Sequence, residues 1–329
     1  MTESVSVVIP CYRSARTLPL LVPRVVSVLC ELGVRYEVIL VVDGSPDDTW
    51  AAAAELARHV EGVRAIHLSR NYGQHNALVA GIREAGSQVV VTMDDDLQHL
   101  PEQIPNLLAA LEGDRLDLVY GVPHVEEHGY LRSLASRTVK ACMSATLGFR
   151  GARKISAFRA FRTHLRDGFA QLSGPHASID VALSWATTQV GSVSVQMKHR
   201  QHGRSNYSLP LLVRHTANMV LGYSAAPLRL ASYLGFAAGV FGLLLGGAVL
   251  WHFATGGTTV AGFTTIASMV ALFSAAQLIA IGVLGEYVGR IHGSGMGHPT
   301  YVVRERIGSG APLAPPRRSD AAGLAARNP

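Results

Sequence analysis

Three carboxylates, Asp94, Asp95 and Asp96, follow directly on the apolar run VVVTM at residues 89–93. Like charges this close make one another harder to ionise, so a surface with no task for them has little reason to gather them. Side chains two apart on an extended strand face the same way, so Asp94 and Asp96 are expected to project together, with Asp95 opposed. Converging carboxylate oxygens suit a hard divalent cation, Mg2+ or Mn2+, which keeps waters and takes further oxygens from a substrate's phosphates. Gln98, two residues on, offers a neutral oxygen. The competing reading is a helix N-terminus, with Asp96 as cap of a helix beginning near Pro101 and its neighbours answering the dipole. One acid meets that need, and three exceed it.

A second acidic motif is VVDGSPDDTW, residues 41–50. Asp43 closes a strand, Gly44 permits a turn, and Asp47 or Asp48 is placed to cap the Ala-rich helix that follows. Asp43 precedes the turn, and from the residues alone it reads equally as a structural acid and as an acceptor for a nucleobase. Asp180, in SIDVALSW, reads equally as a helix cap and as an acid near an acceptor.

The elements that must position these residues alternate along the first 120 or so residues. SVSVVIP, YEVILVV, VRAIHLS, SQVVVTM and LDLVYG read as buried strands. Between them LPLLVPRVVSVLCELG, DDTWAAAAELARHV, QHNALVAGIREAG and PEQIPNLLAALEG carry apolar residues at helical spacing. This pattern predicts an α/β fold, a parallel sheet with helices on both faces. Ligands of such sheets gather beyond the carboxyl ends of the strands, where the acids lie.

The rest of the chain is different. Residues 230–285 hold no Asp, Glu, Lys or Arg, and roughly 20 apolar residues suffice to cross a bilayer. Two membrane spans joined near TGGT are expected. Arg229, Arg290, Arg304 and Arg306 flank the outer ends, and the positive-inside tendency then puts both termini in the cytoplasm. The expected organisation is a catalytic domain over 1–207, an interfacial amphipathic helix over 208–228, two spans over 229–290, a cytoplasmic segment over 291–308 and a disordered tail over 309–329. The net charge of +6 sits partly in an acid-free run with Lys198, Arg200, Arg204 and Arg214. That run suits phosphates or an anionic membrane surface. Without interleaved aromatics it does not suit nucleic acid. Cys11, Cys30 and Cys142 lack CxxC spacing, which argues against zinc or a disulfide framework. The start MTESVSVVIP has no basic region ahead of an apolar one, so no secretory signal is expected.

Taken in order, VVIPCY, VVDGSPDDTW, SRNYGQHNALVAGI, DDDLQHLPEQIP, RQHGRSNYS and VLGEYVGRI resemble the family 2 glycosyltransferases that charge polyprenyl phosphates. That group includes dolichol-phosphate mannose synthase and the bacterial undecaprenyl-phosphate enzymes, and RNYGQH and GEYVGR are most similar to the aminoarabinose transferase branch. The resemblance implies a GT-A fold followed by interfacial helices and two spans. It implies an inverting transfer from a nucleotide-diphosphate sugar, a UDP-sugar in the first instance, to undecaprenyl phosphate, and a homo-oligomer, a tetramer in relatives. By the same resemblance Pro10, Tyr12, Asp43, Asp95 and Arg200 hold the donor. Asp94, Asp96 and Gln98 hold the cation, Arg132, Ser136 and Arg137 meet the acceptor phosphate, and Asp94, Asp96 and Arg132 are the catalytic set. The chain departs from the family at Ser14 and Ser156, where acids are usual, at Pro123 and His124, where an Arg is usual, and at Arg204 and Asn206, where Glu and Lys are usual.

Rival readings are narrower. A processive polysaccharide synthase carries an Arg-Trp pair that is absent here, and PCYRSART lacks the glycines of a dinucleotide-binding turn. A degenerate membrane scaffold that binds lipid or a partner remains the alternative from another class, and loss or retention of function in Asp94→Ala separates it from an enzyme.

Overall fold

The structure is a computed structural model that describes residues 2–123, 155–169, 178–197, 226–255, 262–296 and 298–308. The chain divides into two units, Met1–Asn206 with His298–Pro329, and Tyr207–Gly297.

The first unit opens with β1 (Ser4–Cys11), α1 (Leu18–Leu32), β2 (Arg35–Val42), α2 (Thr49–His59), β3 (Val63–Leu68), α3 (Gln74–Glu84) and β4 (Val89–Thr92). A short 3-10 turn, Pro101–Gln103, leads into α4 (Ile104–Gly113). β5 (Leu118–Pro123), β6 (Arg159–Arg162), α5 (Ile179–Ala186), β7 (Val190–Val195) and β8 (Val303–Ile307) complete it, and a second 3-10 segment, Thr163–Phe169, follows β6. Every residue of β1 is buried, as both-sided cover requires. Alternation along the strand sorts its side chains between two cores. Val5, Val7, Ile9 and Cys11 meet α1, α2 and α4 on one face, while Val8 joins Ile39, Val41 and residues of α3 and α5 on the other. Gly81 lets α3 lie close on the sheet, because a Cβ there would come within 2.4 Å of Val8 Cγ1.

The strands run in the order β7-β5-β6-β4-β1-β2-β3-β8. β1 pairs in parallel with β2 and β4, β2 with β3, and β5 with β7. β6 is antiparallel to β4 and β5, and β8 to β3. The parallel block aims the carboxyl ends of β1, β2, β3 and β4 at one rim. The five expected strands and four expected helices are all present. β6, β7 and β8 were not expected. β8 gives the 291–308 segment a place in the sheet: Arg306 lies on this edge strand and pairs with Glu84 at 3.0 Å.

The second unit holds α6 (Ala226–Ala254) and α7 (Phe263–Gly295), of 29 and 33 residues. They coincide with the two uncharged stretches, and α7 runs on past Gly285. A Cβ at Gly242 would lie 3.2 Å from Phe273 Cζ, so the helices pack tightly there. Among the described residues, which omit several side chains of both helices, no helix is long and apolar enough to cross a membrane. The expected interfacial segment, apart from its last residues in α6, lies outside the described residues.

Candidate functional site

A cavity of about 270 Å³ opens at the carboxyl rim of the parallel block. Pro10, Cys11 and Tyr12 come from the end of β1, Asp43 from the end of β2, and Asp94, Asp95 and Asp96 from beyond β4. The loop after β3 adds Asn71, Gly73 and Gln74.

Asp43 is 3% exposed. Its Oδ1 accepts from the Tyr72 N–H at 2.7 Å and its Oδ2 from the Gly73 N–H at 2.8 Å. Burial pushes its carboxyl above the usual range, and the two amides pull the other way. Each oxygen braces the 72–73 backbone through one lone pair and keeps a second, so the structural role of Asp43 does not take it out of the cavity wall that it also lines. Gly44 makes the bracing possible. It sits at φ 56°, and a Cβ would fall 2.2 Å from the carbonyl carbon of Arg70 and 2.4 Å from the Asn71 nitrogen. Gly44→Ala is expected to push the loop outward and lower stability by about 1–3 kcal/mol. It should also weaken ligand binding in the cavity, measured beside thermal unfolding. Gly33→Ala is the control: Gly33 also has positive φ, but open space surrounds its missing Cβ, so stability alone should fall.

The acid triplet does not continue a strand. β4 ends at Thr92, so two-residue alternation stops short of position 94, and Asp95 lines the same cavity as Asp94 and Asp96. This corrects the opposed placement of Asp95. Asp95 Oδ2 accepts from the Tyr12 N–H at 3.1 Å and from the Ser14 hydroxyl, tying the β1 loop to the triplet. Burial pushes the Asp95 carboxyl up to about 6 against the pull of those bonds, and the charges of Asp94 and Asp96 add to the push. Ser14, noted only as a departure, is therefore a buried partner of the triplet. A second carboxylate in its place would face Asp95 with like charge.

Asp94 Oδ1 accepts from the Gln74 amide at 2.6 Å, and its N–H donates to His99 Nδ1 at 3.0 Å. Asp96 Oδ1 accepts from the Gln98 N–H at 3.1 Å, around Leu97 at φ 63°. A non-glycine residue there is strained and stays so only where its surroundings hold it. Gln98 is not among the residues lining the cavity. The cap reading of Asp96 fails, because the turn at Pro101 is preceded by Leu100 with no side-chain cap. Asp47 does serve its turn, accepting from the Thr49 N–H at 3.3 Å.

Asp180 is neither cap nor free acid. It pairs with Arg159 Nη1 on β6 and accepts from the Tyr120 hydroxyl at 3.1 Å. Arg159 is 2% exposed, and its Nε donates to Thr92 Oγ1 at 3.1 Å, at the foot of the acid loop. Trp50 stacks on His67 with centroids 4.6 Å apart. Arg132, Ser136, Arg137 and Arg200 lie outside the described residues. Among the described residues no three His, Cys, Asp or Glu side chains converge on a metal site. The donor set fits a cation that draws its remaining oxygens from water and a bound diphosphate.

An acid-lined cavity at the carboxyl rim of a mostly parallel sheet suits a phosphate-bearing ligand held through a cation. The sequence profile of Glycosyl transferase family 2 matches residues 6–167. The undecaprenyl-phosphate 4-deoxy-4-formamido-L-arabinose transferase of Proteus mirabilis is 33% identical over 310 residues, 93% of this chain and 94% of the relative. Its counterpart from Pectobacterium carotovorum is 31% identical over 315 residues, 94% and 96% of the two chains. Glucosyl-3-phosphoglycerate synthase from Mycobacterium tuberculosis, solved with Mn2+, uridine diphosphate and glucosyl-3-phosphoglycerate, shares the fold. Its TM-score is 0.50 at 19% identity, over 68% of this chain and 80% of that one. The chain belongs to glycosyl transferase family 2 and is a glycosyltransferase.

Proposed function

We propose that this enzyme transfers a sugar from a nucleotide-diphosphate donor, in the first instance a UDP-sugar, to undecaprenyl phosphate. The observation that carries this reading is the cavity walled by Asp94, Asp95 and Asp96. Its support is the similarity of nearly the whole chain to transferases named for that acceptor.

Asp94 and Asp96 are the residues that would hold Mg2+ or Mn2+. Gln98 is the third ligand expected from the resemblance, although here its backbone N–H bonds to Asp96. A bound cation supplies charge neutralisation to the departing nucleoside diphosphate. Pro10, Tyr12 and the loop braced by Asp43 shape the donor side, and Asp95 holds the Tyr12 backbone in place. A phosphate monoester has its second pKa near 6, so the acceptor is mostly a dianion at neutral pH and needs little help from a base. Arg132, Ser136 and Arg137 are assigned to that phosphate and Arg200 to the diphosphate on sequence grounds. Attack by the phosphate oxygen as the glycosidic bond to the diphosphate breaks is a single displacement and inverts the anomeric carbon.

The acceptor's chain stays in the bilayer, so the enzyme needs an anchor there, and α6 and α7 are our candidates for it. At about 1.5 Å per residue, helices of 29 and 33 residues exceed the roughly 30 Å of a hydrocarbon core. Leu230 to Ala254 contains no Asp, Glu, Lys or Arg. We read them as two spans of the inner membrane with both termini and the catalytic domain cytoplasmic, and we keep the 1–207, 208–228, 229–290, 291–308 and 309–329 divisions for the functional segments.

The test incubates purified protein with undecaprenyl phosphate, Mg2+ and UDP-, GDP- and dTDP-sugars, a 4-deoxy-4-formamido-L-arabinose donor among them, and reads lipid product by mass spectrometry. A lipid-linked monosaccharide with at least one donor is expected. No glycolipid with any donor would overturn the acceptor assignment.

A further inference from the structure

The backbone of Asp94 is anchored by a side chain that the reaction itself does not use. His99 lies past the acid loop, 6% exposed, with its ring stacked on Phe158 at 5.2 Å between centroids and 16° between planes. Its backbone bridges to Met197. An amide N–H can only donate, so the 3.0 Å contact from the Asp94 N–H requires a lone pair on Nδ1. The ring is therefore uncharged and carries its proton on Nε2. Plane, tautomer and charge of the ring are all set by its surroundings. A residue needed only for packing would require the stack alone, which Phe supplies as well.

We propose that His99 is a positioning residue of the acid cluster. Its Nδ1 lone pair orients the Asp94 backbone, and so the carboxylate that would meet the cation and diphosphate of the donor. This rests on the glycosyltransfer reading above and deepens it. An acceptor at the Nδ1 position, rather than an aromatic ring, is then what the site needs. His99→Asn places an amide oxygen near that position. His99→Phe keeps the stack and removes the acceptor, and His99→Gln carries its amide out to the Nε2 position instead.

The test titrates full-length wild type and the three variants with Mn2+ in the presence of UDP, following bound Mn2+ by electron paramagnetic resonance, with thermal unfolding alongside. Outer-shell partners of metal ligands are worth about 10–100-fold in metal affinity. His99→Phe and His99→Gln should weaken Mn2+ binding by that factor, and His99→Asn should stay within about threefold of wild type on the same scale. Equal binding by wild type and His99→Phe, or equal losses in Asn and Gln, overturns the proposal. If His99→Phe does not fold, the Asn-against-Gln comparison decides alone. Wild type that binds Mn2+ with UDP yet glycosylates no lipid counts against the acceptor reading and leaves the role of His99 standing.

Discussion

Asp94→Ala should reduce sugar transfer by roughly two to three orders of magnitude, the usual consequence of deleting a preorganised charge-stabilising group. The side chain is partly exposed at the cavity wall and bonded to Gln74, so its removal opens no apolar void. It also relieves repulsion from Asp95, whose carboxyl the Asp94 charge helps push up. The unfolding free energy should therefore stay within about 0.5 kcal/mol of wild type. Initial rates at saturating donor and acceptor, beside denaturant unfolding of the same preparation, check both halves. Asp48→Ala is a suitable control, because that side chain makes no cap bond to α2 and lies outside the cavity. A wild-type rate in Asp94→Ala would make the triplet a structural feature and remove the main support for a diphosphate site.

The largest stability effect is expected away from the chemistry. Arg159→Met removes the cation facing Asp180 in a buried cluster where the Tyr120 hydroxyl and Thr92 Oγ1 also converge. Burial, and after it the Asp180 charge, already raises the Tyr120 phenol well above its usual value, with Arg159 opposing. Breaking such a pair by removing one partner costs about 3–5 kcal/mol, whereas replacing both ions by apolar groups is often neutral. Arg159→Met should therefore lower the unfolding free energy by about that amount. Arg159→Met with Asp180→Leu should recover most of it. Denaturant titrations of the two variants read the difference. Equal losses in both would show that packing around the Arg stem, rather than the orphaned carboxylate, is what the cluster supplies.

The elements that were legible in the sequence are those whose signal is local. β1 to β5 announce themselves by apolar runs between helical periodicities, and α1 to α4 by their spacing. β6 was not legible because RAFR carries two arginines, and Arg159 is buried only because Asp180, from α5, neutralises it. β8 reads VRERI, a charged pattern that suits a sheet edge and looks like a tail until its partner is known. The site divides in the same way. The acid triplet stood out by residue type, but its geometry depended on where β4 stops, which no pattern marks. Ser14, Gln74 and His99 had no signal, since each matters through a partner that only the folded loops bring near: Asp95 for the first, Asp94 for the other two.

β8 has a practical bearing on how the protein is handled. A soluble fragment cut after residue 206 to avoid the long helices would also discard Val303–Ile307 and leave β3 as an outermost strand. Its N–H and C=O groups would then be open to any passing chain, the usual template for edge-to-edge association. Precipitation of such a fragment would reflect a lost neighbour in the sheet, and grafting residues 298–308 onto it by a flexible linker is the natural remedy.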